Sequence, residues 1–405
     1  MSSYARGRST AWEQRQLGEV GLTYPGLSGK TKEDFGHGDA RFVTYMNVYS
    51  NAVANPDGVE AIEKDDRQHE VMNGDVFFTG SSETPDEVGL SSVWLGNSTD
   101  TYLNSFCFGY RPSKQLDSLF LASSLRSPQM RSRIILLAQG ISRFNISKTQ
   151  VMQLPLCFPS LPEQRRIGVF FTTLDNLIAA AERQEDLLRQ KKQAYLQLMF
   201  PQEGKTEPRL RFAGFTGEWQ QKTVGDLVGK TFGGGTPSTS NSEYWIGRLP
   251  WIQSSNLADG QIFRVDVEKH ISDIALQHSS AQLIPADSIA VVTHVGVGKL
   301  ALVPFEYSTS QDFISLGDLK CDSRFLSLAL QERLRKDLRV VQGSTIKGIT
   351  KQDLLHKKLT LPKQRDEQAR IATFLMVFGK TIAQINERKA LLQRMKEAYL
   401  QRLFL

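Results

Sequence analysis

EQRRIGVFFTTLDNLIAAAERQEDLLRQKKQAYLQLMF, from Glu163 to Phe200, is written again as EQARIATFLMVFGKTIAQINERKALLQRMKEAYLQRLF, from Glu367 to Phe404. At a fixed shift of 204 positions, without a gap, 15 of 38 residues are identical. Unrelated segments agree at roughly one position in twenty, so the stretches are two copies of one unit. Neither copy contains an internal proline. In the first, Ile167, Phe171, Leu174, Ile178, Ala181, Leu188, Tyr195 and Met199 fall on steps of four and three. In the second, Ile371, Leu375, Phe378, Ile382, Ile385, Leu392, Tyr399 and Leu403 take the same steps. This is the apolar seam of a coiled-coil helix, which requires a partner. Each helix is expected to run about 55 Å at ~1.5 Å per residue. Pro201 stops the first.

Working outward, Trp12-Glu13-Gln14-Arg15-Gln16-Leu17-Gly18-Glu19-Val20 has its counterpart in Trp219-Gln220-Gln221-Lys222-Thr223-Val224-Gly225-Asp226-Leu227, at a shift of 207. The repeat therefore comprises a whole globular domain and its helix, and the first domain is slightly the longer. Between them lie short strands and turns. Phe42-Val43-Thr44-Tyr45-Met46, Asp75-Val76-Phe77-Phe78-Thr79, Leu249-Pro250-Trp251-Ile252 and Ser288-Ile289-Ala290-Val291-Val292 read as strands. Residues 118–125, 129–137 and 325–338 read as helices. Gly140 to Ser147 and Gly343 to Thr350 are polar loops at equivalent places. Chain order favours antiparallel helices, because the first ends near the second domain and the second begins there. The expected class is α+β: two similar mixed α/β domains joined by two long helices in an antiparallel coiled coil, a pseudo-two-fold internal repeat. The expected boundaries are 1–159 for the first domain, 160–201 for its helix and 202–218 for a linker. The second domain is expected at 219–362 and its helix at 363–405.

A chain of 405 residues is long for one core and suits two or more domains. No apolar run approaches the ~20 residues that span a bilayer. Residues 1–10 are polar, with two arginines and no apolar centre, unlike a secretory signal. Cys107, Cys157 and Cys321 are distant from one another and odd in number, which suits a reducing cytoplasm. The net charge of +6 permits a polyanionic partner without requiring one.

Motifs for catalysis are weak. Gly296-Val297-Gly298-Lys299-Leu300 looks like part of a phosphate loop, but Thr293 replaces its first glycine and Leu300 its magnesium-binding hydroxyl. A dinucleotide loop would open a helix, whereas Leu300 to Pro304 reads as a strand, so a glycine hairpin is expected. The six histidines form no metal-binding pair. No amino-methyltransferase tetrapeptide appears. Short polar side chains near glycines are more informative, since they can read base edges while basic ones hold phosphates. The candidates for DNA contact are Ser81, Ser82, Glu83, Arg143, Asn145, Thr236, Ser238, Thr293, His294, Lys299, Thr345 and Lys347.

Leu198-Met199-Phe200-Pro201, followed by Pro208-Arg209-Leu210-Arg211-Phe212-Ala213-Gly214-Phe215 and Glu218-Trp219, resembles the specificity subunits of type I restriction–modification systems. Gly235-Thr236-Pro237-Ser238 to Tyr244-Trp245, and Phe42 to Val48, resemble the start of that family's target recognition domains. The resemblance covers essentially the whole chain. It implies a non-catalytic DNA-recognition subunit whose two domains each read one half of a bipartite, asymmetric site in double-stranded DNA. It implies that the paired helices set the spacing and dock two methyltransferase subunits, to which restriction and translocase subunits are added. No cofactor is then expected in this subunit; S-adenosylmethionine, ATP and magnesium belong to partners. The expected location is the cytoplasm, with no membrane. Two alternatives remain at this point: the specificity subunit of a simpler enzyme with a fused nuclease–methyltransferase, and a coiled-coil scaffold that binds no DNA.

Overall fold

The computed structural model describes residues 12–113, 115–202, 204–340 and 348–404. The chain forms two compact units: one runs to Arg183 and resumes at Glu387, the other is Gln184–Asn386. The first unit contains strands β1 (Glu13–Gln16), β2 (Gly21–Pro25), β3 (Phe35–Val43), β4 (Val59–Ile62), β5 (Val76–Thr79) and β6 (Ser81–Ser82). It continues with β7 (Ser91–Val93), β8 (Thr101–Leu103), β9 (Cys107–Pro112), β10 (Phe144–Asn145) and β11 (Pro155–Phe158). Its short helices are α1 (Tyr45–Ser50), α2 (Ser118–Ser124), α3 (Pro128–Ile135) and α4 (Lys148–Met152), and the long α5 (Leu161–Met199) begins in it. The second unit contains β12 (Gln220–Thr223), β13 (Lys230–Gly233), β14 (Leu249–Ile252), β15 (Lys269–Ile271), β16 (Ser288–Val292), β17 (Leu300–Val303), β18 (Ser308–Thr309), β19 (Phe313–Gly317) and β20 (Lys358–Leu361). Its helices are α6 (Val224–Leu227), α7 (Asp273–His278), α8 (Ser323–Val340) and α9 (Lys351–His356), and the long α10 (Arg365–Leu403) starts there.

The units share one topology. A four-stranded sheet is ordered β2-β9-β5-β7 in the first and β13-β19-β16-β17 in the second. A three-stranded sheet is ordered β4-β3-β8 and β15-β14-β18, with its last pair parallel in both. The ribbons β1-β11 and β12-β20 lead into the two long helices. The central strands β5 and β16 are buried along their whole length, as expected of apolar runs covered on both faces.

The start of each long helix is tied to its domain by a repeated glutamine. Gln164 is 1% exposed; its Oε1 accepts from Asp117 N at 2.9 Å, and its Nε2 donates to Pro159 O at 2.8 Å and Gln115 O at 3.1 Å. Gln368, 2% exposed, accepts from Asp322 N at 2.9 Å and donates to Pro362 O at 2.7 Å. Asp117 and Asp322 in turn cap α2 and α8. The aromatic packing is repeated too. Trp12 meets Phe120 and Phe404, as Trp219 meets Phe325 and Phe200. Gly168 lets α2 lie directly on α5, since a Cβ there would fall 2.7 Å from Leu119 Cβ. In the second unit the entry chain is further secured by a buried ion pair. Arg211 clasps Glu367 with bonds of 2.7 and 2.8 Å, and Trp219 Nε1 donates to the same carboxylate.

Within each unit the long helices run antiparallel. In the first, Phe170 meets Tyr399 at 5.0 Å and Asp175 bonds Lys396 at 2.5 Å, so numbers rise on α5 as they fall on α10. In the second, the end of α5 lies on the start of α10, with Tyr195 against Phe374 and Phe378. Two sequence expectations need adjustment. The seam continues on Tyr195 and Tyr399, each against the other long helix, but Tyr399 is 42% exposed and the deeper burial falls on the next residues, Leu196 and Leu400. At their C-terminal turns the helices pack into the domain cores as well as on each other, so the buried face widens beyond the seam. The strand expected over Phe42 to Met46 stops at Val43, because the Thr44 side chain accepts from Asn47 N and caps α1. Among the described residues no helix is long and apolar enough to cross a membrane.

Candidate nucleic-acid interface

In the first unit the loop Gly140–Ser147 returns to the sheet through β10, which pairs with β6 so that Ser82 faces Phe144 and Ser81 faces Asn145. Gly80 anchors this corner: its N–H donates to Phe106 O at 2.7 Å and its carbonyl accepts from Ile146 N at 3.1 Å. Ser81, Ser82, Arg143 and Asn145 are thereby brought together, with Glu83 exposed beside them. Four of these five, all but Asn145, line a cleft of about 500 Å³ with Tyr45, Met46, Tyr49, Glu87 and Phe106. Arg143 Nε donates to Ser81 Oγ at 3.0 Å, and its guanidinium lies 5.8 Å from the centre of the Phe106 ring. Ser82 Oγ and the Tyr49 hydroxyl both donate to Glu87, at 2.9 and 2.7 Å. Those bonds hold the Glu87 carboxyl below the usual carboxylate range, and the bond to Glu87 pushes the Tyr49 hydroxyl up. Arg126 fixes the cleft's back wall by donating to the carbonyls of Val48, Tyr49 and Asn51.

The second unit builds the same corner from different residues. Thr293 N donates to Asp312 O at 2.7 Å and Thr293 O accepts from Ile349 N at 2.8 Å, reproducing the bonds of Gly80. Gly298 N donates to Val292 O as Gly89 N donates to Thr79 O. Gly296 and Gly298 both have φ of +90° and form the β16–β17 turn, so these glycines open a strand. His294 and Lys299 border a cleft of about 840 Å³ with Asp259, Arg335 and Gln193. Thr293 is 1% exposed, and its hydroxyl donates to Asp312 O. Its side chain thus serves the frame rather than the surface. Thr236 donates to Gln311 beside that turn, whereas Ser238 is exposed and shares a bond with Ser240. Gly234 and Gly235 allow this loop its approach, since a Cβ at either would strike the carbonyl of Ser310 or Ser280. Thr345 and Lys347 lie outside the described residues. Sequence reading passed over Tyr45, Met46, Phe106 and Arg335 as contact residues, because only the fold brings them into the clefts.

Residues 10–190 and 216–394 each match the profile of the type I restriction modification DNA specificity domain. The chain belongs to that family. Among specificity subunits, the MjaIX subunit of Methanocaldococcus jannaschii is 26% identical over 181 residues, which are 44% of this chain and 41% of that subunit. The alignment thus spans less than half of that relative. The EcoR124I/EcoR124II subunit of Escherichia coli is 42% identical over 82 residues, 20% of each chain. The putative MjaX subunit of M. jannaschii is 21% identical over 369 residues, 88% of this chain and 84% of that one. The fold is that of the S subunit of a type I system from M. genitalium, at TM-score 0.64 and 13% identity over 99% of this chain and 98% of that one. A chain solved in work on complex assembly and conformational transition of the type I R-M system aligns at TM-score 0.53 and 18% identity, over 98% of each chain. Each of the two specificity domains contains one of the corners described above.

Proposed function

We propose that this specificity subunit reads a two-part asymmetric site in double-stranded DNA, each unit reading one half. The observation that carries this is the repeated frame with exchanged side chains: Gly80 and Thr293 make the same main-chain bonds, yet present Ser81 and Arg143 in one unit and His294 and Lys299 in the other. Identical frames with different surfaces suit two half-sites of different sequence. Ser81, Ser82, Glu83, Arg143 and Asn145 would contact the first half-site. Thr236, Ser238, His294 and Lys299, with Thr345 and Lys347, would contact the second. Thr293 would act through the frame. The long helices set the distance between half-sites and dock two methyltransferase subunits, and restriction and translocase subunits complete the assembly. S-adenosylmethionine, ATP and magnesium are used by those partners in the cytoplasm, and this chain contributes recognition without catalysis. The test is to replace residues 12–158 with the corresponding domain of another family member and sequence the methylome of the host. One half of the modified motif should change and the other persist; a change in both halves would refute the division of labour.

A further inference from the structure

The clefts differ in one respect that the shared frame does not require. Asn104 N donates to Val43 O as Ser310 N donates to Ile252 O, so the residues two and three beyond these strand ends correspond. Tyr45 and Met46 in the first unit therefore stand where the second has Ser254 and Ser255, and Phe106 stands where it has Asp312. Met46 is 60% exposed and Phe106 57%, so neither belongs to the core. Arg143 lines the same cleft, oriented by the bond from its Nε to Ser81 and by the Phe106 ring. Among the described residues its two Nη groups have no acceptor, so a planar pair of donors is left for a ligand.

We propose that Arg143 reads a guanine in the half-site of the first unit, positioned by Ser81, with Met46 and Phe106 forming the apolar wall against the neighbouring base. Two parallel N–H donors match the O6 and N7 acceptors of guanine in the major groove, whereas adenine offers a donor at one of those places. A phosphate also accepts two such bonds. It fits this cleft less well, because the carboxylates of Glu83 and Glu87 line the same walls and repel an anion, while Met46, Phe106 and the rings of Tyr45 and Tyr49 give a largely apolar surface beside Ser81 and Ser82. Apolar side chains at this position suit the 5-methyl group of a thymine. The second unit, with Ser254, Ser255 and Asp312 in place of that wall, offers no equivalent surface.

The proposal rests on the reading that the first unit recognises DNA, and the test separates the two. The chain is assembled with its methyltransferase partner, and methylomes are sequenced for the parent, R143Q, R143K and the exchange of residues 12–158. The parent motif should contain a guanine in the half changed by the domain exchange. In R143Q that single position should relax or turn toward adenine, with methylation of the original site reduced about tenfold or more and the other half unchanged. R143K, keeping the charge without the planar fork, should also lose discrimination there. M46A should weaken preference only at the adjacent position. If R143Q weakens all sites alike, keeps the motif and flattens the salt dependence, the contact is to phosphate and the proposal falls. An unchanged R143Q methylome also overturns it. If the domain exchange itself leaves the motif unaltered, the underlying assignment of recognition to the first unit has failed instead. Arg143 is exposed, so the variants should melt with the parent, which calorimetry checks.

Discussion

Replacing Gln164 with leucine should loosen the first unit without touching the corner built on Gly80. The two side chains are close in volume, so the change chiefly removes three hydrogen bonds. Gln115 is exposed, and water can replace its lost donor. Pro159 is buried and Asp117 N is half-buried at the start of α2, so their carbonyl and amide lose partners that water replaces poorly. At ~1–2 kcal/mol for each such group, the destabilisation is about 2–4 kcal/mol. For a unit of this size each kcal/mol lowers the melting temperature by roughly 2–4 °C, so a fall on the order of 10 °C is expected. Gln368→Leu strips Asp322 N and Pro362 O in the same way and should act to a similar extent on the second unit. Calorimetry gives the melting temperatures, and amide hydrogen exchange identifies the unit that opens. Loss of protection should be concentrated at α2 for the first variant and at α8 for the second. Melting within 1 °C of the parent, or equal loss of protection in both units from either single change, would refute the argument that each glutamine ties one helix to one domain.

Arg211→Ala should destabilise the second unit by roughly 3 kcal/mol, because it leaves the carboxylate of Glu367, 1% exposed, without its cation. Adding Glu367→Gln should recover much of that loss in urea titrations. Gly379→Asp should stabilise the second unit by about 1 kcal/mol. It removes a glycine from a helix interior and gives Lys192 a carboxylate corresponding to Asp175 beside Lys396. A Cβ at Gly379 would meet Lys192 Nζ at 4.0 Å, and burial pushes the Lys192 ammonium pKa down, so the new charge has both space and a cation in need of it. Melting with Gly379→Asn as the control, which has nearly the same helix propensity and shape without the charge, isolates the ion pair, whose share should shrink with salt.

The helices were legible because their repeat is long, ungapped and apolar at fixed steps. The loop equivalence could also be read, as far as the described residues go: Ile146 and Ile349, at the ends of the two stretches, make the same bond. The burial of Leu196 and Leu400 beside the seam was hidden, because heptad spacing records a partner helix and gives no sign of a domain core next to it. Thr44 ended a strand that β-propensity would have continued, a local capping bond outweighing the preference of Tyr45. The clefts were least legible. Met46 and Phe106 lie 60 residues apart, and only the sheet crossings bring them to Arg143. Thr293 showed the converse: a short polar side chain near glycines proved to be bonded inward.

The first unit is discontinuous in sequence, and this orders its assembly during synthesis. Gln184–Asn386 is a single run, so the second unit can close as soon as its last residue has left the ribosome. The first unit emerges earlier, yet its core includes Leu400 and Phe404, and Phe404 packs on Trp12, Phe120 and Phe171. Those rings wait uncovered through the translation of the whole second unit. The half of the chain made first is the half finished last, and a chain released before Leu400 would expose the apolar groove that a chaperone or a second nascent chain could occupy.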